Sequence, residues 1–294
     1  MADVAILGLG LMGSTLAAHL LADGRAVAGY DPDSDRRDDV AQLGGAVFES
    51  IADAVSNAAL VVLSLPNSAI TLEVCVEIAA SGAEGLLVID TTTGDPNDSA
   101  LAAANLETAG HRYTDATISG NAAQFEARDV IFMVGGSPAD VAQATEFLAP
   151  FGRAVYAVGE VGAGAKAKLV VNHVLSINRA ALAEGLAVAD KAGIDLEQML
   201  EVLRDSAAYS KAMDIWGQRM VEGDHYPPAS RIRQGHKDSR LINEHADALG
   251  ASHTLVGAVR DLFTEAEESG LSDADNSAVM ELLRRRAGIG RLPV

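Results

Sequence analysis

Residues 4–24 read VAILGLGLMGSTLAAHLLADG, and this stretch decides the fold of the first half of the chain. Its glycines at positions 8, 10 and 13 have the spacing GxGxxG and directly follow a short apolar run. An amphipathic segment then extends to Gly24, and a second apolar run ends in Asp31. The glycine spacing alone is a weak signal, but a strand, a glycine turn, a helix and a strand ending in an acid are together typical of a dinucleotide-binding βαβ unit.

Each part of the glycine turn has a physical role in such a unit. Gly8 permits the tight turn, Gly10 lets the backbone approach a pyrophosphate, and Gly13 lets the helix pack closely. The helix N-terminus, which includes Leu11 and Met12, supplies unpaired N–H groups to the anion. These five residues are the predicted cofactor-binding turn, and a glycine turn without a ligand is the alternative.

Asp31 is predicted to select the dinucleotide. Its carboxylate would accept hydrogen bonds from the adenosine ribose hydroxyls and would repel a 2′-phosphate, which favours NAD over NADP. Arg36 and Arg37 follow closely enough to weaken that preference, so NADP stays open as a second cofactor.

The first half of the chain alternates strand-like and helix-like segments. Continuous apolar strands separated by helices are typical of a parallel sheet covered on both faces, which is a doubly wound, Rossmann-type α/β domain. We assign residues 1–160 to this dinucleotide-binding domain. The strand-like runs are DVAIL, RAVAGYD, ALVVLSL, GLLVID, HRYTDA, VIFMVGG and RAVYAVG.

The second half is predicted to be all-helical. The strand-like runs stop near a break that reads GEVGAG. A long inter-domain helix is expected from about residue 164 to about residue 192, and the segments after it are again helical in pattern. We assign residues 161–294 to this substrate and oligomerisation domain. Its alanine-rich and leucine-rich helices predict a homodimer or a homotetramer.

Composition argues against several classes of protein. The formal net charge is −19, from 41 acidic against 22 basic residues, so nucleic acids and anionic membranes would repel the chain. The single cysteine, Cys75, cannot form an internal disulfide, and no run reaches the ~18 apolar residues of a membrane-spanning helix. The apolar N-terminus lacks the basic residues of a secretion signal. A cytoplasmic location is therefore expected.

A polar stripe marks the long helix. In GAGAKAKLVVN, residues 162–172, two lysines stand in a small and apolar segment. Residues four apart share a helix face, so Lys168 aligns with Asn172, Ser176 and Arg179, while Lys166 lies off this stripe. Lys168 is the candidate proton carrier, and Lys166 is read as a solvated neighbour. The alternative is a long helix that simply exposes one side to water.

The position of Lys168 favours acid–base chemistry. It follows the glycines before the helix by about one turn, where the positive end of the helix dipole disfavours a cation. Partial burial would act in the same direction and lower the pKa of the lysine toward values suited to proton transfer near neutral pH.

Several segments together carry a resemblance to a known family. They are GLGLMG at 8–13, VIDTTTGDP at 88–96, DATISG at 115–120, the spacing GxGxxxKxxxN within 162–172, and HKDSRLINEHADALG from 236. With these motifs the sequence resembles the β-hydroxyacid dehydrogenase family, which includes 3-hydroxyisobutyrate dehydrogenase and tartronate semialdehyde reductase. The resemblance covers nearly the whole chain.

The resemblance implies a reaction and a set of site residues. Hydride would pass between C4 of a nicotinamide and the carbon that bears the β-hydroxyl of a small hydroxy acid, or the aldehyde carbon of the matching semialdehyde, while Lys168 moves the hydroxyl proton. The predicted substrate-binding residues are Ser119, Gly120, Asn172 and Lys237, with Asp238 in the same motif, and the predicted cofactor-binding residues further include Leu65, Pro66, Thr93 and, again, Lys237.

The substrate loop departs from the family pattern. The family usually reads close to DAPVSGG followed by further glycines, whereas this chain reads DATISGNAAQFEARD. Thr117 replaces the proline, Asn121 replaces the second glycine, and Gln124 and Arg128 stand where glycine is common. Asn121 therefore joins the predicted substrate-binding set, and the identity of the substrate stays open.

A second departure lies at PPASRIRQGHKD, residues 227–238, where the family tends to be apolar. Arg233 and Lys237 are four apart and Arg240 follows three later, so a cationic face is predicted, with Arg231 nearby. This face is either exposed surface or, through Arg233, a binding site for a sugar acid, a sulfonate or a phosphonate.

Two other functions compete with this reading. An imine reductase would share the architecture, and a dinucleotide-binding protein without catalysis would share the first domain; Lys168 counts against both. No metal site is predicted, because the seven histidines show neither HExxH nor HxH spacing. His173 and His236 adjoin motif residues but are read as neighbours rather than as a base.

Overall fold

The computed structural model describes residues 3–289 of the 294-residue chain. The chain divides into two compact units, Met1–Lys168 and Leu169–Val294. The first unit combines a sheet with helices and the second is helical, which confirms the predicted fold class. The long helix α8, Ala163–Lys191, contains the junction. The domain limits 1–160 and 161–294 stay a prediction.

The sheet has the strand order β3-β2-β1-β4-β5-β6-β7-β8. Chain order reverses between β1 and β4, which are parallel neighbours, so a topological switch point lies at their carboxyl ends. The bounds are β1 Val4–Leu7, β2 Val27–Tyr30, β3 Ala46–Val47, β4 Leu60–Leu63, β5 Leu87–Asp90, β6 Arg112–Ser119, β7 Ile131–Gly135 and β8 Ala154–Gly159.

Two features of the sheet differ from the prediction. The strand β3 has only two residues, neither of them buried, and so gives no apolar run. The strands β6 and β7 are antiparallel, whereas a parallel sheet was expected. Only residues 120–130 connect them, and a parallel crossover needs a dozen residues or more.

Seven α-helices within the described part of the first unit cover the sheet, and a buried apolar cluster lies on each face. Most begin at a side chain that accepts a backbone N–H bond, such as Asp33, Asn67 or Asp95. The bounds are α1 Leu11–Ala22, α2 Ser34–Gln42, α3 Ile51–Val55, α4 Ser68–Ala80, α5 Pro96–Thr108, α6 Ala122–Glu126 and α7 Pro138–Leu148, the last followed by a 3₁₀ turn at Ala149–Phe151.

The second unit packs its helices around one apolar core that includes Leu186, Leu200, Trp216 and Phe263. The predicted helical segments all contain helices. After α8 the bounds are α9 Leu196–Asp205, a π-helical turn at Met213–Gly217, α10 Gln218–Glu222, α11 Ile232–Ala248, α12 Thr254–Glu268, a 3₁₀ turn at Asn276–Ala278 and α13 Val279–Arg286. No helix within residues 3–289 is both long enough and apolar enough to span a bilayer.

Candidate active site

The glycine turn after β1 is shaped by close backbone contacts. Gly8 has a φ of +94°, and a Cβ there would lie 2.3 Å from the Ser64 carbonyl oxygen. A Cβ on Gly13 would lie 1.9 Å from the Gly8 carbonyl oxygen, so neither position admits a side chain. At Gly10 a Cβ would meet only Arg36 Nη1, at 3.6 Å, among the described residues. The turn is thus tight on its inner side and open at Gly10.

The N-terminus of α1 fits an anionic ligand. Among residues 3–289 no side chain caps it, and its first turn contains no acidic residue. The N–H groups of this turn, which include those of Leu11 and Met12, therefore keep their capacity to bind a phosphate. This arrangement fits the pyrophosphate of a dinucleotide.

Asp31 lies at the end of β2 beside this turn and is only 3% exposed. Its Oδ2 accepts the Leu9 N–H at 2.8 Å and its Oδ1 accepts the Asp33 N–H at 3.0 Å. Arg36 Nη1 lies 3.5 Å from Oδ2, and Arg37 donates to the Asp31 carbonyl oxygen at 2.7 Å. An acceptor for ribose hydroxyls and a half-exposed cation therefore stand together at this position.

The other predicted cofactor residues lie at the carboxyl ends of β4 and β5. Leu65 N–H donates to Thr92 Oγ1 at 3.1 Å, which ties the two loops together. Leu65 Cδ2 would lie 3.1 Å from a Cβ on Gly8. Pro66 is exposed and Thr93 is half-buried on these same loops. The first unit thus gathers its predicted cofactor residues at one edge of the sheet.

Lys168 lies against the predicted substrate turn. Its Nζ donates to the Ile118 carbonyl oxygen at 2.6 Å, and the side chain is partly buried. Ser119 and Gly120 follow directly in the chain. Lys166, by contrast, is exposed. The structure therefore separates the two lysines as the helix spacing predicted.

The first turn of α8 is held by side chains from β6. Asp115 Oδ1 accepts the Gly162 N–H and Oδ2 accepts the Ala165 N–H, both at 2.7 Å. Thr117 Oγ1 donates to the Gly164 carbonyl oxygen at 2.8 Å. Burial raises the pKa of Asp115 to about 6, against the lowering effect of these N–H bonds. These contacts position the helix that carries Lys168.

Sequence reasoning missed the role of Asp115 and treated Thr117 only as a departure. A signal was present, because residues two apart in a strand face the same side, so the Asp and Thr of DATIS point together. Their partners are backbone groups about 50 residues later, and nothing in the composition of those groups identifies them.

The larger polar side chains of the substrate loop have partners within the first unit. Asn121 and Gln124 bond reciprocally to each other's backbone N–H, at 2.9 and 3.0 Å, and so cap α6. Arg128 donates to the Pro150 carbonyl oxygen at 3.1 Å and to Asp23 at 3.2 Å. Substrate contact by Asn121 stays a prediction.

Asp238 connects two of the three predicted substrate residues of the second unit. Asn172 Nδ2 donates to Asp238 Oδ2 at 3.1 Å, and Lys237 Nζ lies 3.7 Å from Asp238 Oδ1. Arg233 is placed differently: its side chain is 54% exposed, with Nη1 3.0 Å from Asp273. Arg231 approaches the same carboxylate at 3.6 Å. The predicted cationic face is thus partly neutralised by Asp273.

Among residues 3–289 no group of three or more His, Cys, Asp or Glu side chains is placed to hold a metal ion. Cys75 is buried, and burial raises the pKa of its thiol far above the usual range.

Two family models together match nearly the whole chain. The NAD-binding domain of 6-phosphogluconate dehydrogenase matches residues 3–159, and the NAD-binding domain of NADP-dependent 3-hydroxyisobutyrate dehydrogenase matches residues 162–283. The glyoxylate/succinic semialdehyde reductase 2 of Arabidopsis thaliana, a chloroplastic protein, is 30% identical over 286 residues. That alignment covers 96% of this chain and 79% of the plant protein.

Solved structures are also similar to this chain over nearly its whole length. The 3-hydroxyisobutyrate dehydrogenase of Mycobacterium tuberculosis, solved with L-serine, superposes with a TM-score of 0.88 at 28% identity, covering 97% of this chain and 100% of that one. An imine reductase from a Pseudomonas species reaches a TM-score of 0.65 at 18% identity, covering 95% and 98%. At that identity the second likeness shows a shared fold alone.

Proposed function

The chain belongs to the β-hydroxyacid dehydrogenase family, and on this premise we propose its reaction. The protein is an NAD(P)-dependent oxidoreductase. The proposed reaction moves a hydride between nicotinamide and the carbon that bears the β-hydroxyl of a small hydroxy acid, or the aldehyde carbon of the matching semialdehyde. The observation that carries it is the Lys168 amine at the Ile118 carbonyl, directly before the Ser119–Gly120 turn.

Lys168 is the proposed general acid and base. In the oxidation direction its neutral amine accepts the proton of the substrate hydroxyl, and in reduction its ammonium donates that proton to the forming alkoxide. The dinucleotide, when bound, accepts or supplies the hydride. Ser119 and Gly120 hold the substrate carboxylate, and Asn172, one helical turn after the lysine, binds the substrate as well. Asp238 fixes the orientation of the Asn172 amide.

The names of the relatives support a small acid as substrate. The plant relative is a reductase of glyoxylate and succinic semialdehyde, and the mycobacterial structure contains L-serine. Both name compounds with a carboxylate near an aldehyde or an alcohol. For this chain we propose a more polar or doubly anionic hydroxy acid, because its loops carry more polar side chains than the family pattern.

NAD is the proposed preferred cofactor, with NADP accepted less well. The buried Asp31 carboxylate supports NAD, since it would repel a 2′-phosphate. Arg36, half-exposed beside that carboxylate, supports residual use of NADP. Lys237 and Thr93 are proposed to border the nicotinamide end.

A cytoplasmic homo-oligomer is the proposed form of the protein. Helix α8 leaves Val170, Val174 and Val188 more than half exposed, and such side chains are typical of a subunit interface. Light scattering coupled to gel filtration measures the mass directly, and a monomer at micromolar concentration contradicts this proposal.

A panel of small hydroxy acids, including sulfonate and sugar-acid members, tests the reaction. NADH formation is measured with the wild type, Lys168→Ala and the matched control Lys166→Ala. The first variant should lose roughly 10²–10⁴-fold in kcat, the usual contribution of a general acid or base, while NAD affinity stays the same. The control should remain within about twofold, because Lys166 is exposed. Full activity in Lys168→Ala would show that Lys168 is not the proton carrier.

A further inference from the structure

Arg179 is a buried cation of the second unit. It lies on α8, and only 5% of its surface is exposed. Its Cζ lies 4.7 Å from the ring centre of Trp216 and 4.9 Å from that of Phe263. The rings stabilise the positive charge through cation–π contacts, which do not use the N–H donors of the guanidinium as hydrogen bonds would.

The guanidinium keeps unused donor capacity. Its Nε is buried and has no hydrogen-bond partner among residues 3–289. Asp275 and Asp238 act on it only through their fields. Burial lowers the pKa of Arg179 to about 10, so the group stays charged at neutral pH.

Both nearby carboxylates have other partners. Asp275 accepts the N–H groups of Ala229 and Ser277, each at 2.9 Å. Asp238 accepts from the Asn172 amide. A buried guanidinium with an unpaired N–H donor is destabilising even between two rings, and an apolar residue of similar size would stabilise the core better. The arginine is therefore better explained by a ligand than by stability.

The location of Arg179 agrees with a substrate contact. It follows Asn172 by seven residues, or about 10 Å along the helix axis. Seven residues are close to two full turns, so the two side chains start from the same face of the helix. The charge of Asp238, which accepts from the Asn172 amide, also acts on the guanidinium.

We propose that Arg179 binds a second anionic group of the substrate, which makes the substrate class hydroxy acids or semialdehydes with two anionic groups. The inference rests on the proposed function, in which Asn172 of the same helix binds the substrate. The forked donors of arginine match a carboxylate or a sulfonate bidentately. Arg233, the arginine that the sequence favoured for this role, is exposed and lies at Asp273.

Trp216 provides a direct readout, because it is the only tryptophan of the chain and lies against Arg179. The holoenzyme, saturated with NAD, is titrated with malonate, succinate and glutarate while tryptophan emission is recorded. Butyrate is the monoanionic comparison. At least one dicarboxylate should change the emission in a saturable way and bind at least tenfold more tightly than butyrate.

Three variants identify the arginine responsible. Arg179→Met removes the charge but keeps an unbranched side chain. It should weaken binding of the best dicarboxylate at least tenfold and leave the affinity for butyrate unchanged. Arg179→Lys keeps the charge without the forked donors, and its affinity for the best dicarboxylate should lie between those of the wild type and Arg179→Met. Arg233→Met should bind like the wild type. Circular dichroism and thermal unfolding verify that each variant is folded.

The wild-type titration alone can overturn the proposal. Equal binding of butyrate and all three dicarboxylates would do so even if every Arg179 variant failed to fold. A tenfold loss of dicarboxylate affinity in Arg233→Met, with no loss in Arg179→Met, would also overturn it. Lys168→Ala separates this inference from the proposed reaction, because it should lose turnover and keep the dicarboxylate response.

Discussion

Replacement of Asp115 by asparagine should change how stability depends on pH. The carboxylate is 1% exposed, and burial raises its pKa from 3.8 to about 6. The folded protein therefore binds this proton more tightly than the unfolded chain does. It follows that the free energy of unfolding falls as the pH rises from about 4 to about 6 and is then constant with respect to this group.

The size of the effect follows from the two pKa values. The interval between 3.8 and about 6 corresponds to about 3 kcal/mol, at ~1.4 kcal/mol for each pH unit. Asparagine has nearly the shape of the protonated acid but does not titrate. Of this total, the stability of the wild type minus that of Asp115→Asn should lose about 2 kcal/mol between pH 4 and pH 6, and the rest at the two ends of the titration.

Urea unfolding at closely spaced pH values measures this difference. Thr117→Val is the matched control, because it breaks a second contact between β6 and the start of α8 without removing a titratable group. Its offset from the wild type should not vary with pH. If the difference for Asp115→Asn rises with pH instead, the two N–H bonds at 2.7 Å outweigh burial and the reasoning is refuted.

Two further predictions concern the cofactor site. Gly13→Ala places a Cβ 1.9 Å from the Gly8 carbonyl oxygen, so it should cost about 1–3 kcal/mol of stability and weaken NAD binding, as thermal unfolding and calorimetry would show; Gly185→Ala, whose Cβ meets no atom within 4 Å among the described residues, should cost nothing. Asp31→Ser should raise the NADP/NAD ratio of kcat/KM at least tenfold, or about 1.4 kcal/mol, and Arg36→Met in that background should lower it again; an unchanged ratio would show that Asp31 does not select the cofactor.

Local patterns predicted the parts of the site that depend on neighbours in the chain. The rule that residues four apart share a helix face separated Lys168 from Lys166, because both lie on one helix. The glycine turn and Asp31 lie within a single βαβ unit, where strand, turn and helix follow one another. The capping box of Asn121 and Gln124 was equally readable from its spacing, and substrate contact by Asn121 stays a prediction.

The parts that were missed depend on distant residues. The spacing of Arg233 and Lys237 indicated a shared helix face, but it could not indicate the ion pair of Arg233 with Asp273, which lies 40 residues further along the chain. Arg179 was placed on the polar stripe, yet its burial needs rings from a π-helical turn and from α12. The antiparallel pair β6–β7 follows from the length of a connection rather than from the residues of either strand.

The overall negative charge explains why anions must be bound by cationic groups in direct contact with them. A chain of net charge −19 repels an anionic dinucleotide and an anionic substrate at a distance, although salt limits this field to about 8 Å at physiological ionic strength. Binding must then come from local groups in partly buried surroundings, where screening is weaker. The uncapped N-terminus of α1, Lys168 and Arg179 meet this condition, whereas the exposed Arg233 does not. For this reason we place anion recognition at buried cations and helix termini, and not on the cationic face that includes Arg233.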